Sequence, residues 1–258
     1  MRKKIAARKS SIGYRKFRGV AKTDHIELPT GEKISILYED RSVLAIDKPR
    51  GWMLVPASWQ KTNRNLQMAL TSSIAAKDFW ARSRNLKFLR FVHRLDADTT
   101  GILLFAKSLG AVNTFGDLFE SRKMEKTYLA VAHGAPKQAE WTCRLKIGPD
   151  AEQRGKMRVD ARGGKEAETV FRVLQVVGNT SLVEARPFTG RTHQIRVHLA
   201  AAGHPIVGDE IYGSAARKEL GLRAIGLAYI DPFTRRQVNI RAPMEEFCRR
   251  YGFQVALV

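Results

Sequence analysis

Apolar positions along this chain fall into short runs with two periods. Ile34, Ile36 and Tyr38 alternate with other residues as in a half-buried strand. The next run, Val43 to Ile46, is uniformly apolar and leads to Lys48-Pro49-Arg50-Gly51, a turn signal after a buried strand. Ile102 to Ala106 is another such run and reads as a central strand. Thr127 to Ala132 closes at His133-Gly134, and Glu140 to Ile147, Thr169 to Val177 and Ser181 to Arg186 continue the series of strands. Helical spacing appears at Leu66, Ala69, Leu70 and Ile74, within a segment that otherwise reads as loop. It returns at Val112, Phe115, Leu118 and Phe119 behind a capping Ser108, and at Ile195, Leu199 and Ala202 before the stop signal of Gly203. Gly155 to Gly164 is polar and is expected to be a mobile loop.

Strands outnumber helices, and the short gaps between them favour hairpins over crossovers, so the class is α+β with a mostly antiparallel sheet. Ordered structure is expected from Ile34. Residues 1–33 then form a basic, flexible N-terminal arm and residues 34–258 one folded domain. From Met1 to Thr23 there are nine Lys or Arg and no acidic residue. Such a segment contacts phosphates without reading sequence.

Charge sharpens this picture. The 258 residues carry 45 Lys+Arg against 25 Asp+Glu, a formal charge of +20, which points to a polyanionic partner. Cys143 and Cys248 lie far apart without other ligands at metal spacing, so neither a zinc ribbon nor a disulfide framework is supported. No apolar run reaches the roughly 18 residues of a membrane span. A cytoplasmic protein without a membrane partner is the expectation.

The chain lacks a phosphate-cradling Gly-x4-Gly-Lys-Ser/Thr loop, a Gly-x-Ser-x-Gly elbow, a His-Glu-x-x-His pair and a dinucleotide fingerprint, so no cofactor and no metal is expected. His193 and His198 are five apart, off a shared helical face, and read first as structural histidines. One carboxylate stands out. Asp96 follows His93 and Arg94, while Ala185 to Gly208 contains Arg186, Arg191 and Arg196 and no acid. An arginine from that stretch would hold Asp96 ionised, as a nucleophile or as half of an ordinary structural pair.

The segment His93-Arg94-Leu95-Asp96-Ala97-Asp98-Thr99-Thr100-Gly101 to Lys107 resembles the catalytic motif of the RluA family of RNA pseudouridine synthases. Gly190-Arg191-Thr192-His193-Gln194-Ile195-Arg196-Val197-His198-Leu199, with Gly203-His204-Pro205-Ile206 and Gly208-Asp209 to Tyr212-Gly213, is similar to that family's downstream signature. Ile36 to Gly51 and Lys126-Thr127-Tyr128-Leu129-Ala130 match two further stretches in the same order. The resemblance implies a mixed, mostly antiparallel sheet flanked by helices with the active site in a central cleft. The residues before the first strand carry no S4-like helical pattern, so the small RNA-binding domain of many relatives is not expected. The resemblance also implies an isomerase that converts a uridine in structured rRNA or tRNA to pseudouridine, with Asp96 as catalytic nucleophile, Arg196 as its partner and Tyr128 against the base. Arg94 would enter the RNA stack, and His93, Arg191 and His193 would complete the substrate contacts. A monomer without nucleotide cofactor is expected. The alternative is a non-catalytic RNA-binding or assembly protein that retains the fold; a degenerate relative would be expected to have lost Asp96. If the arm grips RNA through phosphates, deleting residues 1–23 will weaken binding and flatten the dependence of log affinity on log salt by roughly 0.7–0.9 per lost phosphate contact, measured by titration at several salt concentrations.

Overall fold

The computed structural model describes residues 22–28, 30–54, 64–213 and 219–254. Its first part runs β1 (His25–Glu27), β2 (Lys33–Glu39), β3 (Val43–Lys48), α1 (Leu66–Ala75), α2 (Phe79–Arg82), β4 (Arg90–Phe91), β5 (Thr100–Ala106) and α3 (Leu109–Glu120). The middle holds β6 (Glu125–His133), β7 (Glu140–Cys143), β8 (Ile147–Pro149), β9 (Met157–Val159), β10 (Thr169–Val177) and β11 (Thr180–Pro187). Then follow α4 (Gln194–Ala201), β12 (Leu222–Ile230), β13 (Gln237–Arg241) and α5 (Glu245–Arg250). Among the described residues no helix is long and apolar enough to cross a membrane.

Eleven strands form one sheet in the order β1-β2-β3-β5-β12-β6-β11-β10-β7, with β4 also on β5 and β13 also on β12, and β8 and β9 pair apart from it. Every pairing is antiparallel except β12 with β5, so the sheet is mixed and mostly antiparallel, as the pattern implied. That parallel contact is short, Thr100 opposite Arg223 and Gly101 opposite Ala224. Beyond it β5 and β12 diverge, and β4 and β13 take the freed edges. Gly101 makes the contact possible. Its φ is +105°, and a Cβ there would lie 2.1 Å from the Ala224 carbonyl oxygen. The core divides along the same seam. One cluster covers β1 to β5 with α1 and α3, and a second centres on β6, β10, β11 and α4; Tyr128 packs against both.

Two expectations are corrected. The basic arm does not extend to residue 33: β1 pairs with β2 through His25 and Ser35, and Ile26 and Leu28 are buried. Three residues are too few to show a period, and the turn at Gly31 lies inside what reads as polar linker. Residues 1–21 of the arm lie outside the described residues. Gly155 to Gly164 is not simply a loop, because β9 lies in it and pairs with β8. Its apolar residues, Met157 and Val159, pack on a small satellite cluster with Ile147, Ala167 and Val197 rather than on the main core. The strand in Ser181 to Arg186, the strand in Thr169 to Val177 and the Ser108 cap follow the sequence pattern, with Ser108 accepting from the Ala111 N–H at 3.2 Å.

The first half is tied together at Glu39, at the end of β2. Its carboxylate meets Lys107 at 2.8 Å, Arg84 at 2.9 Å and Lys22 at 3.2 Å. Burial opposes ionisation of Glu39, but these hydrogen bonds and charges outweigh it and hold the carboxyl down to about 2. The unfolded chain takes up that proton first as pH falls, so the contribution is intact above about 4.5 and is lost toward pH 2. Between those values Glu39→Gln will lose less stability than the wild-type protein, by on the order of 3 kcal/mol, in urea unfolding curves measured across the window.

Candidate active site

A cleft of about 820 Å³ opens at the seam, and Asp96, Lys126, Tyr128, Arg191, His193 and Arg196 line it. Asp96 sits in the loop between β4 and β5. A turn shapes that loop, the Thr99 N–H donating to the Asp96 carbonyl at 3.2 Å. Lys48 fixes the loop from below. Its ammonium, fully buried at the end of β3, donates to the carbonyls of Ala97 at 2.7 Å, Thr99 at 3.0 Å and Pro49 at 3.1 Å, and the Gly51 N–H adds a second bond to Ala97. Burial pulls the Lys48 ammonium down to about 8 against the opposing charges of Asp98 and Asp96. The Lys48-Pro49 turn therefore clamps the loop that carries Asp96.

Arg196 comes from α4, 100 residues further along the chain, and its side chain is 8% exposed. Nη1 donates to Asp96 Oδ2 at 3.3 Å. The stronger partner is one to which the sequence reading gave no role. Asp209 takes Nε and Nη2 at 2.8 Å each, a bidentate pair with a fully buried carboxylate. The N–H groups of Ile211 and Tyr212 also donate to Asp209 Oδ1, and the guanidinium lies 5.2 Å from the centre of the Tyr212 ring. Burial raises the Asp209 carboxyl, yet these bonds, Arg196 foremost, hold it below its usual value. Asp96 is thus not the lone acid in the basic stretch. Asp209 stands one residue past Gly208, where the acid-free window closes, and that position was the available signal.

The loop that leads into α4 is folded around Gln194. Its amide oxygen accepts from the Thr189 hydroxyl at 2.7 Å and the Arg191 N–H at 3.0 Å, while its amide nitrogen donates to the Glu168 carbonyl and Thr169 Oγ1. Arg191 Nε donates to the Glu166 carbonyl at 2.9 Å, so this cation is held in the cleft wall. His193 caps the helix in the left-handed region, φ +56°. Its Nδ1 lies 2.8 Å from the Tyr212 hydroxyl and its Nε2 3.9 Å from Asp96 Oδ2. His198 is the structural histidine of the two, buried between Thr169 Oγ1 and the Leu145 carbonyl at 3.0 Å each.

Tyr128, on β6, is a neutral phenol: burial and the charge of Asp96 push its hydroxyl far up. Arg94 is exposed at the rim, with Nη2 3.4 Å from Thr192 Oγ1. His93 lines the cleft, but its Nε2 accepts from the Leu104 N–H at 3.1 Å and its ring stacks on Phe119 at 4.5 Å. Burial, with the charge of Lys126, lowers this imidazole to about 3 and keeps it neutral. Lys126, given no role in the sequence reading, donates to the Thr189 carbonyl at 3.1 Å; burial and the charge of Arg122 lower it to about 8. The arrangement offers a carboxylate with an arginine aimed at it, a phenol beside it and a rim of cations.

Residues 42–201 match the family model described as RNA pseudouridylate synthase. The chain is 34% identical over 232 residues to the RNA pseudouridine synthase YhcT of Bacillus subtilis, covering 87% of this chain and 74% of that one. It is 34% identical over 227 residues to ribosomal large subunit pseudouridine synthase C of Escherichia coli, covering 83% and 68%. Human RNA Pseudouridylate Synthase Domain Containing 1, a solved structure, superimposes with a TM-score of 0.65 at 28% identity over 81% of this chain and 83% of that one.

Arg196→Met would strand the Asp209 carboxylate in the interior. We expect a loss of about 3–5 kcal/mol in urea unfolding, the usual cost of breaking a buried pair from one side. A loss below about 1 kcal/mol would mean that the pair does not hold α4 to the turn at Asp209.

Proposed function

The chain belongs to the RNA pseudouridylate synthase family, and from that premise we propose that it isomerises a specific uridine in structured rRNA or tRNA with Asp96 as the nucleophile. The enzyme class, an RNA pseudouridine synthase and hence an isomerase, follows from the family match and the named relatives. The observation that carries the finer reading is the Asp96 carboxylate, held by Arg196 at 3.3 Å and open to a basic cleft of about 820 Å³.

Conversion of uridine to pseudouridine changes no atom count. The bond from C1′ to N1 breaks, the base turns, a bond from C1′ to C5 forms, C5 releases a proton and N1 gains one. Asp96 attacks the base or the sugar and is released at the end. A base within structured RNA must first leave its stack, and aromatic or guanidinium planes compensate for the lost stacking. Arg94 at the exposed rim suits the gap left behind, and Tyr128 suits the face of the extruded base, as a neutral packing surface rather than a proton acceptor. Arg191 and Lys126 bring positive charge to the walls for the backbone phosphates. His93, its Nε2 engaged by Leu104, acts on the substrate only by supporting the loop that carries Arg94 and Asp96. Among RNAs, the relative named for the ribosomal large subunit makes large-subunit rRNA the first substrate to test.

Asp96→Asn should fold and bind RNA nearly as the wild type does while pseudouridine formation falls below detection. Chemical mapping of pseudouridines in total RNA from cells that carry the wild-type gene, the variant or neither will read both the activity and the target. Substantial turnover by the variant would remove Asp96 from the nucleophile role.

A further inference from the structure

His193 is the polar group nearest Asp96 that the reaction as described leaves idle, and the direction of its hydrogen bonds can be worked out. The Met157 N–H, on β9, points at the Tyr212 hydroxyl oxygen at 2.8 Å. A backbone N–H only donates, so the oxygen accepts there. The hydroxyl proton then needs an acceptor, and His193 Nδ1 is 2.8 Å away. With the hydroxyl proton directed to Nδ1, that nitrogen is bare, and in the neutral ring the proton sits on Nε2. A second observation agrees. Nε2 faces Asp96 Oδ2 at 3.9 Å, where a lone pair would be repelled by the carboxylate and an N–H is attracted.

The ring is held in place. His193 adopts a left-handed backbone, uncommon for a residue with a side chain, and its ring meets Tyr212 edge-on at 5.6 Å. Burial lowers its basicity, Arg196 and Arg94 adding to the effect and Asp96 and Asp209 opposing it, so the imidazole is neutral at pH 7. At 3.9 Å the Nε2 proton is beyond hydrogen-bond reach of Asp96, and no described residue accepts it. It is an oriented donor, lining the cleft beside the nucleophile and awaiting an oxygen.

When C1′–N1 breaks, the electron pair departs with the uracil and spreads over N1 and the two carbonyl oxygens. We propose that His193 is a catalytic residue that donates its Nε2–H to a carbonyl oxygen of the target uracil as this charge develops, the hydrogen bond strengthening while the proton stays on nitrogen. Tyr212 and the Met157 N–H are positioning groups that fix the tautomer. The inference rests on the reading of Asp96 as the centre of uridine isomerisation.

Two measurements test it. Nitrogen NMR of the full-length protein labelled at histidine, without RNA and at neutral pH, should show His193 as the Nε2–H tautomer; an Nδ1–H tautomer overturns the assignment. In kinetics on the mapped RNA, His193→Asn keeps a residue that tolerates the left-handed backbone but places no donor at Nε2. Its kcat should fall about 10²-fold, as for loss of one preorganised donor, with KM nearly unchanged. His193→Gln, whose amide reaches further, should recover part of the loss. Near-normal kcat in the Asn variant, a loss confined to KM, or equal kcat in the Asn and Gln variants would each overturn the proposal. A wild-type protein that converts no uridine would instead defeat the reading of Asp96, while the NMR measurement still decides the tautomer.

Discussion

The bidentate pair between Arg196 and Asp209 is the constraint on which the site depends. An unpaired charge at either position would be costly in this interior, so the two groups fix each other. The backbone N–H groups of Ile211 and Tyr212 fix Asp209 in turn. With Nε and Nη2 committed there, the planar guanidinium has little freedom left, and Nη1 points at Asp96 as a geometric consequence. The Asp96 loop is held with similar rigidity from the other side, where the Lys48 ammonium binds three carbonyls. Asp96 and Arg196 are thus each held by groups that lie outside the cleft.

The excess positive charge has two distinct uses. Some cations are internal fasteners, such as Lys48, Arg223 against Asp47 at 2.6 Å, and the group around Glu39. Lys48 is removed from a polyanion by burial, and the acids beside the others offset their charge. Others, including Arg94, Arg191 and Lys126, face the cleft with their side chains bonded to neutral oxygens, so their charge remains available to phosphates.

Much of this was legible in the sequence because it lies in long or periodic segments. The nine-residue strand Thr169–Val177, the apolar run of β5 and the capped helix α3 all follow from period and cap. Asp96 and Arg196 were found by motif, and the structure brings them together across 100 intervening residues. What escaped was short or non-local. β1 and β9 have three residues each, too few for a period. β12 and β13 lie beyond the last motif. Asp209 and Lys48 look like ordinary surface charges in the chain, and only the fold shows that one is sealed under α4 and the other under a loop. His193 read as a structural histidine by spacing and as a substrate contact by resemblance; its backbone conformation and its hydroxyl partner were not accessible to either approach.

The two-residue contact between β5 and β12 has a consequence for the order of assembly. β12 lies between β5 and β6 in the sheet, yet it is made almost a hundred residues after β6. A chain emerging from the ribosome can pair β2, β3 and β5, and separately β6, β10 and β11, with no strand to join the two groups. Closing such a long loop comes late, after local pairing has paid part of its entropy. Until residues 222–230 arrive, Asp96 and Arg196 belong to halves that no strand joins, so a nascent or truncated chain carries the cations of the cleft without the cleft itself.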